Sequence, residues 1–173
     1  MRRVVVVAYD GAQSLDITGP VEAFSIATRF FGGEYAIELV TPRGAPARCS
    51  SGLSLNAHRP MHEVRGAIDT LVVAGGAAAA EVAADERVAA WVRGAGRRAR
   101  RVASVCTGAY LLAEAGLLDG RRATTHWSDC ATLAERYPQI AIESDPIYVR
   151  DGNVYTSAGV TAGMDLALAL IEE

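Results

Sequence analysis

The stretch RVASVCTGAYLLAEAGLL, from Arg101 to Leu118, decides how this chain is read. It opens with a short apolar run, Val102, Ala103 and Val105, that leads to Cys106. A helical pattern starts at once, with Leu111, Leu112, Ala115 and Leu118 recurring on one face. The run reads as a buried strand and the spacing after it as a buried helix, which leaves Cys106 at a sharp turn between them. Free backbone N–H groups and the helix dipole at such a start favour a thiolate. A turn of this kind is a nucleophile elbow when it pushes a reactive side chain out at the C-terminal edge of a sheet. The competing reading is a small buried cysteine that only packs, as cysteines commonly do.

Upstream, Val4 to Ala8 is a continuous apolar run, the mark of a strand buried on both faces, and Asp10 and Gly11 break it. Thr18 or Gly19 before Pro20 is a good helix start, and that helix should run to about Phe31 and stop at Gly32 and Gly33. Asp16 is then expected in the loop between strand and helix, where α/β sheets collect ligand groups. Its bland alternative is a turn or cap residue. Tyr35 to Val40 reads as a second strand, and Thr41 to Pro60, with its prolines, as an edge hairpin or long loop. His58 and His62 have the spacing of a helical metal pair, but Pro60 lies between them and a zinc site needs three or four ligands. They are taken as surface residues, with no metal expected.

Ile68 to Ala74 is another buried strand, ended by Gly75 and Gly76, which let the backbone approach a ligand and present N–H groups to negative charge. Without a ligand they are a tight turn into the alanines that follow. Glu86 to about Gly96 is an amphipathic helix, with Val88, Trp91, Val92 and Ala95 inward. Arg97, Arg98, Arg100 and Arg101 read as a solvated face that complements its dipole.

Beyond the elbow helix, Arg122 to Trp127 reads as a short strand. His126 within it is a candidate base toward Cys106, or a histidine held by a core hydrogen bond. Ser128 is expected to cap a helix from Asp129 to Tyr137. Short strands at 140–142, 147–149 and 154–157 follow, the last two joined by a turn at Asp151, Gly152 and Asn153. The final GVTAGMDLALALIEE is apolar almost all round, which predicts a buried helix. Strands alternating with helices make this an α/β protein, a parallel-sheet sandwich with helices on both faces.

Composition bounds the rest. The chain has 173 residues, 50% hydrophobic and 21% charged, enough for one domain of 1–173 with a sizeable core. A formal charge of −3 gives no electrostatic reason to bind nucleic acid through the surface as a whole. Three cysteines, Cys49, Cys106 and Cys130, have no CxxC spacing, so neither a disulfide framework nor a thiol-pair redox motif is indicated. A cytoplasmic setting, no membrane span and no cofactor are expected.

The segments LDITGP, VVAGG, SVCTGAYLLAEAGLLDGRRATTHW and YVRDGNVYTSAGVTAGMDLALALIEE resemble the DJ-1/PfpI branch of the class I glutamine-amidotransferase-like superfamily, over essentially the whole chain. Within it the chain is most similar to the amino-terminal domain of AraC-type transcriptional regulators, where a helix-turn-helix domain follows. The resemblance implies a flavodoxin-like sandwich, a small-molecule ligand, a homodimer, and DNA contact only through a domain outside this chain. The pattern still running at Glu173 fits such a following domain.

Carried over residue by residue, the resemblance puts the family's nucleophile on Cys106 and its facing acid on Asp16, an aspartate where DJ-1 proteins have glutamate. Its backbone anion site falls on Gly76 and the Thr107 N–H. Peptidases of the PfpI type carry histidine directly after the cysteine; Thr107 stands there instead, which argues against a protease. Asp16, Cys106 and Thr107 also resemble the catalytic set of isonitrile hydratases. The expected function is therefore small-molecule or redox sensing around Cys106, with isonitrile hydration as the alternative.

Overall fold

The structure is a computed structural model that describes residues 1–32 and 34–173; Gly33, read above as part of a helix stop, lies outside them. In chain order the elements are β1 (Arg2–Val7), α1 (Ser14–Phe31), β2 (Tyr35–Thr41), β3 (Ala47–Arg48), β4 (Ser54–Leu55), β5 (Arg59–Pro60), β6 (Ile68–Val73), α2 (Ala79–Ala83), α3 (Glu86–Arg98) and β7 (Ala99–Val105). They continue with α4 (Ala109–Glu114), β8 (Arg122–Ala123), α5 (Cys130–Arg136), β9 (Ala141–Ile142), β10 (Tyr148–Asp151), β11 (Val154–Ser157) and α6 (Ala162–Glu172). Seven strands form the central sheet in the order β10-β11-β7-β6-β1-β2-β5. All its pairs are parallel except β10 with β11. The two short pairs β3-β4 and β8-β9 stand outside it.

Central position explains the valine run. β1 lies between β6 and β2, and Val4, Val5, Val6 and Val7 are wholly buried, as a strand covered on both faces requires. Helix α1 packs with α6 on one side of the sheet, while α2, α3 and α4 pack together on the other. This is the expected sandwich, and each crossover keeps its helix over the strands it joins.

β1 is followed by a neighbour on one side, β2, and later by one on the other, β6. The connections therefore diverge between β1 and β6, and the crevice beyond their carboxyl ends is where such sheets bind ligands. The chain after β1, after β6 and after β7 all opens onto that edge.

Four local expectations change. Helix α1 begins at Ser14, a turn earlier than Pro20 suggests, so Asp16 sits in its first turn and Pro20 inside it. The start is anchored from outside: the Gln13 N–H donates to the Gly75 carbonyl at 2.8 Å. Arg101 is not solvated but 1% exposed, with Nε donating to Thr70 Oγ1 at 2.8 Å and Nη1 to the Leu170 carbonyl at the end of α6. Alternation along β7 turns it inward. The run from Arg122 to Trp127 is strand only as far as Ala123, because side chains take over the next partners. The Thr124 N–H donates to Thr156 Oγ1, and Thr125 Oγ1 to the Cys106 carbonyl, each at 2.8 Å. Finally, α6 buries one face, through Leu166, Ala167 and Leu170, and leaves Leu168 54% exposed, since it covers the sheet as an outer layer.

Candidate functional site

Cys106 follows β7 directly, at φ 55° in a 3₁₀ turn, Cys106–Gly108, that leads into α4. A left-handed backbone is strained for any residue with a Cβ, and its Ramachandran position marks a turn fixed by its surroundings. Ties on both sides fix it. The Cys106 N–H donates to the Ala158 carbonyl at 3.3 Å, and its own carbonyl accepts from Thr125. A second strained residue stands opposite: Val160 has φ 51°, rare for a β-branched side chain. It holds its backbone N–H toward the Cys106 sulfur.

Asp16 reaches the same place from the first turn of α1 and is 0% exposed. Gly75 makes the approach possible. A Cβ there would lie 2.8 Å from Asp16 Oδ2 and 2.7 Å from the Thr107 nitrogen, so only glycine lets the carboxyl and the turn meet. Gly76 plays a different part from the one expected. Its N–H donates to Thr107 Oγ1 at 2.9 Å, and the same hydroxyl donates back to the Gly76 carbonyl at 2.9 Å. That N–H is thus engaged with a side chain rather than held open for an anion.

Burial opposes ionisation of both acids, and the carboxyl opposes that of the thiol, while the thiol eases that of the carboxyl. Burial, and then the charge of Asp16, pushes the Cys106 thiol up to about 11, against the pull of the Thr107 N–H and hydroxyl and the Val160 N–H. Burial pushes the Asp16 carboxyl up to about 7, with the Gly75 backbone and the thiol drawing it back. Among the described residues neither carboxyl oxygen has a partner at hydrogen-bonding geometry, which leaves burial in command. The expectation of a thiolate favoured by the helix start is therefore corrected. The helix is short, Cys106 is only 7% exposed, and desolvation beside a second acid outweighs the dipole. Tyr9 adds a neutral wall, its hydroxyl donating to the Ala74 carbonyl at 2.8 Å, and burial raises its pKa further above the ordinary phenol value.

A cleft of about 340 Å³ opens over the sulfur, lined by Cys106, Thr107, Gly76, Tyr110, His126, Asp129, Val160 and the small side chains of α2. Its volume suits a small molecule. Of the six site residues read from the sequence, Gly76, Cys106, Thr107 and His126 line the cleft, while Asp16 and Gly75 lie beneath it. A larger groove of about 640 Å³ lies across α2, with Tyr9, Asp10, Arg43, Glu81 and Asp85 in its walls. Two of its carboxylates are committed: Asp10 accepts from the Arg48 N–H and Asp85 from the Arg87 N–H, each at 2.9 Å. It brings no thiol to a carboxyl, so the smaller cleft is the better site. His58 and His62 are exposed, and His58 Nδ1 accepts from the Leu39 N–H at 3.0 Å.

The sequence reading gives Val160 and Tyr110 no part in the site, and takes Ser128 only as a helix cap and Asp129 as the helix start. Val160 had one signal, a β-branched residue set between Gly159 and Gly163 where a regular helix had been expected. Tyr110 had none, being hidden among the apolar residues of the elbow helix.

Comparison with known proteins places the fold in a family. Residues 2–173 match the DJ-1/PfpI family. The chain belongs to that family. It is 36% identical to an isonitrile hydratase of Pseudomonas putida over 162 residues, 93% of this chain and 67% of that protein. It is 34% identical over 163 residues to the HTH-type transcriptional regulator CdhR of Pseudomonas aeruginosa, 94% of this chain and 48% of the regulator. The chain thus spans about half that regulator's length. A solved ThiJ/PfpI family protein from Pseudomonas syringae superposes with a TM-score of 0.88 at 30% identity, over 98% of this chain and 67% of that one. Among the described residues no helix is long and apolar enough to cross a membrane.

Two titrations follow from the acid pair. Above neutrality Asp16 is ionised and repels the thiolate, so Asp16→Asn is expected to move the pH midpoint of Cys106 alkylation below the wild-type value of about 11; an unchanged midpoint shows the groups uncoupled. The carboxyl also holds its proton to about pH 7 when folded but only to about 3.8 when unfolded. Stability from this group is full below pH 4 and falls as pH rises to 7, by up to roughly 4 kcal/mol. Urea melts of wild type and Asp16→Asn should diverge across that window, the variant being flatter.

Proposed function

We propose that this chain is the sensing domain of an AraC-type transcriptional regulator, with a small-molecule pocket centred on Cys106. The observation that carries this is a ligand-sized cleft whose floor thiol and carboxyl are both held toward their neutral forms. A pocket of that kind suits binding. An enzyme that used the thiol would first have to remove its proton, and oxidation to sulfenic acid also runs through the thiolate. The raised thiol therefore favours ligand binding over redox sensing. Similarity to the regulator CdhR over nearly the whole chain supports the assignment. DNA would be reached only through a domain outside these residues, and two copies would pair so that two half-sites are read. Sedimentation at twice the monomer mass is the expected stoichiometry; a monomer at micromolar concentration argues against pairing.

The binding test is a melting screen against a panel of small metabolites. A ligand at 100 times its Kd stabilises by about 2.7 kcal/mol, which is a rise of about 5 °C or more for a domain of this size. At least one compound should give such a rise in wild type, and Ala80→Phe, which fills the cleft wall, should abolish it. No rise in wild type, or an equal rise in the variant, overturns the reading.

A second reading is favoured by the buried Asp16 carboxyl beside the thiol and by the 36% identity to an isonitrile hydratase. Here Cys106 sulfur would bond to the isonitrile carbon while the thiol proton, relayed by Asp16, passes to that same carbon, giving a thioimidate. Water would then add to the carbon, the C–S bond would break with the sulfur regaining a proton, and an N-substituted formamide would leave. Incubation with cyclohexyl isonitrile decides it. N-cyclohexylformamide above the Cys106→Ala control supports hydration, and none removes it.

A further inference from the structure

One wall of the cleft is a chain of polar contacts. Tyr110 donates its hydroxyl to Asp129 Oδ1 at 3.1 Å. The Ser128 hydroxyl lies 2.7 Å from Asp129 Oδ2 and also 2.7 Å from His126 Nδ1. His126, Asp129 and Tyr110 all line the cleft, and the ring of His126 is partly open to solvent.

Counting protons gives this chain a direction. Tyr110 has one hydrogen to give, and it goes to Asp129; burial, then Asp129 itself, pushes the phenol up to about 12, so it keeps that hydrogen across the neutral range. Ser128 also has one. A carboxylate is a stronger acceptor than a neutral imidazole at the same distance, so the hydroxyl hydrogen points to Asp129. With that hydrogen committed, the short contact between Ser128 Oγ and Nδ1 is a bond only if Nδ1 carries the ring hydrogen. Against this, the Ser128 backbone N–H donates to Nδ1 at 3.3 Å, which favours a lone pair there. It is longer than the hydroxyl contact and lacks its link to a charge, while Asp129 Oδ2, 3.9 Å from Nδ1, adds attraction for a hydrogen on that atom.

The opposite edge of the ring rests on bare backbone. A Cβ at Gly159 would collide with His126 Cδ2 and sit 3.2 Å from Nε2, so this glycine seats the imidazole beside Val160. The ring also stacks obliquely on Trp127, centroids 5.5 Å apart. Its orientation is thus held from three sides.

We propose that Ser128 is a positioning residue: braced by Asp129 and Tyr110, it fixes His126 as the Nδ1–H tautomer and so leaves Nε2 as the hydrogen-bond acceptor of a ring that lines the Cys106 cleft. A molecule seated over the thiol meets an acceptor there, so the cleft selects for an N–H or O–H donor. A formamide bears such a donor; an isonitrile does not. The selectivity rests on the cleft being a ligand site, as argued above, whereas the tautomer depends on the protein alone.

The test reads the tautomer directly in the free protein. Long-range proton–nitrogen spectra of ¹⁵N-histidine-labelled chain, recorded with the ring neutral and assigned by loss of signal in His126→Gln, report which nitrogen bears hydrogen. Wild type should show Nδ1–H as the major form. Ser128→Ala should move the ring toward Nε2–H, the form free imidazole side chains prefer, and Ser128→Thr, which keeps the hydroxyl, should restore Nδ1–H. Backbone amide spectra of each variant confirm that it is folded. Nε2–H as the major wild-type form, or a Ser128→Ala spectrum like wild type, overturns the proposal without touching the sensing reading. A melting screen with no active compound does the reverse.

Discussion

One constraint governs this molecule: two acids are buried against each other, and the second proton is costly to remove. Cys106 and Asp16 stand beside each other at the floor of a cleft, and among the described residues neither carboxyl oxygen has a partner at hydrogen-bonding geometry. In that setting a charge on either group is opposed by lost hydration and by a charge on the other. A buried carboxyl without partners is a liability in a fold whose net stability is only of order 10 kcal/mol. The wholly buried valines of β1 and the apolar layers around them have to offset it. Uncompensated polar atoms of this kind concentrate where a protein uses them.

Backbone strain points to the same spot. Cys106 and Val160 come from separate segments of the chain, and both adopt positive φ around a single sulfur. Each is held there by its neighbours: one by contacts to Ala158 and Thr125, the other in the segment that leads into α6. Strain stored on two sides of one atom is a stronger signal than strain at one turn. The strand order supplies the rest. With β6 between β1 and β7, the Gly75 turn falls between Asp16 and the Cys106 turn, and its missing side chain lets the carboxyl approach that turn.

The neutral resting state also bears on how one fold serves two purposes. In the two readings proposed above, binding and isonitrile chemistry would use the same cleft, acid and sulfur, and they would differ in whether the proton leaves the sulfur when a molecule arrives. A scaffold in which that step is held back can bind without turning over, and a modest change in solvation or donors would release it. Thr107 belongs to this balance. Its hydroxyl closes on Gly76 from both ends, so the backbone donor most suited to an anion is already engaged.

The sandwich, its strands and the place of Cys106 were legible in the sequence because periodicity and apolar runs are local properties, and β1, β6, β7 and the following helix carry them plainly. Gly75 and Gly76 could be named from the end of a strand, and the roles of Asp16, Gly76 and Thr107 through family resemblance, since the motifs are contiguous. The protonation states could not. A helix start by itself favours a thiolate, and only the fold buries that start beside a carboxyl some ninety residues away in the chain. Arg101 was misjudged for the same reason: an arginine in a run of arginines reads as solvated until the strand turns it under α6. Val160, Ser128 and the roles of Gly76 and His126 depend on contacts between segments far apart in sequence, or on hydrogen-bond direction. Local pattern fixes which elements form; burial, charge proximity and proton direction are properties of the assembled layers, and the tertiary structure alone decided them.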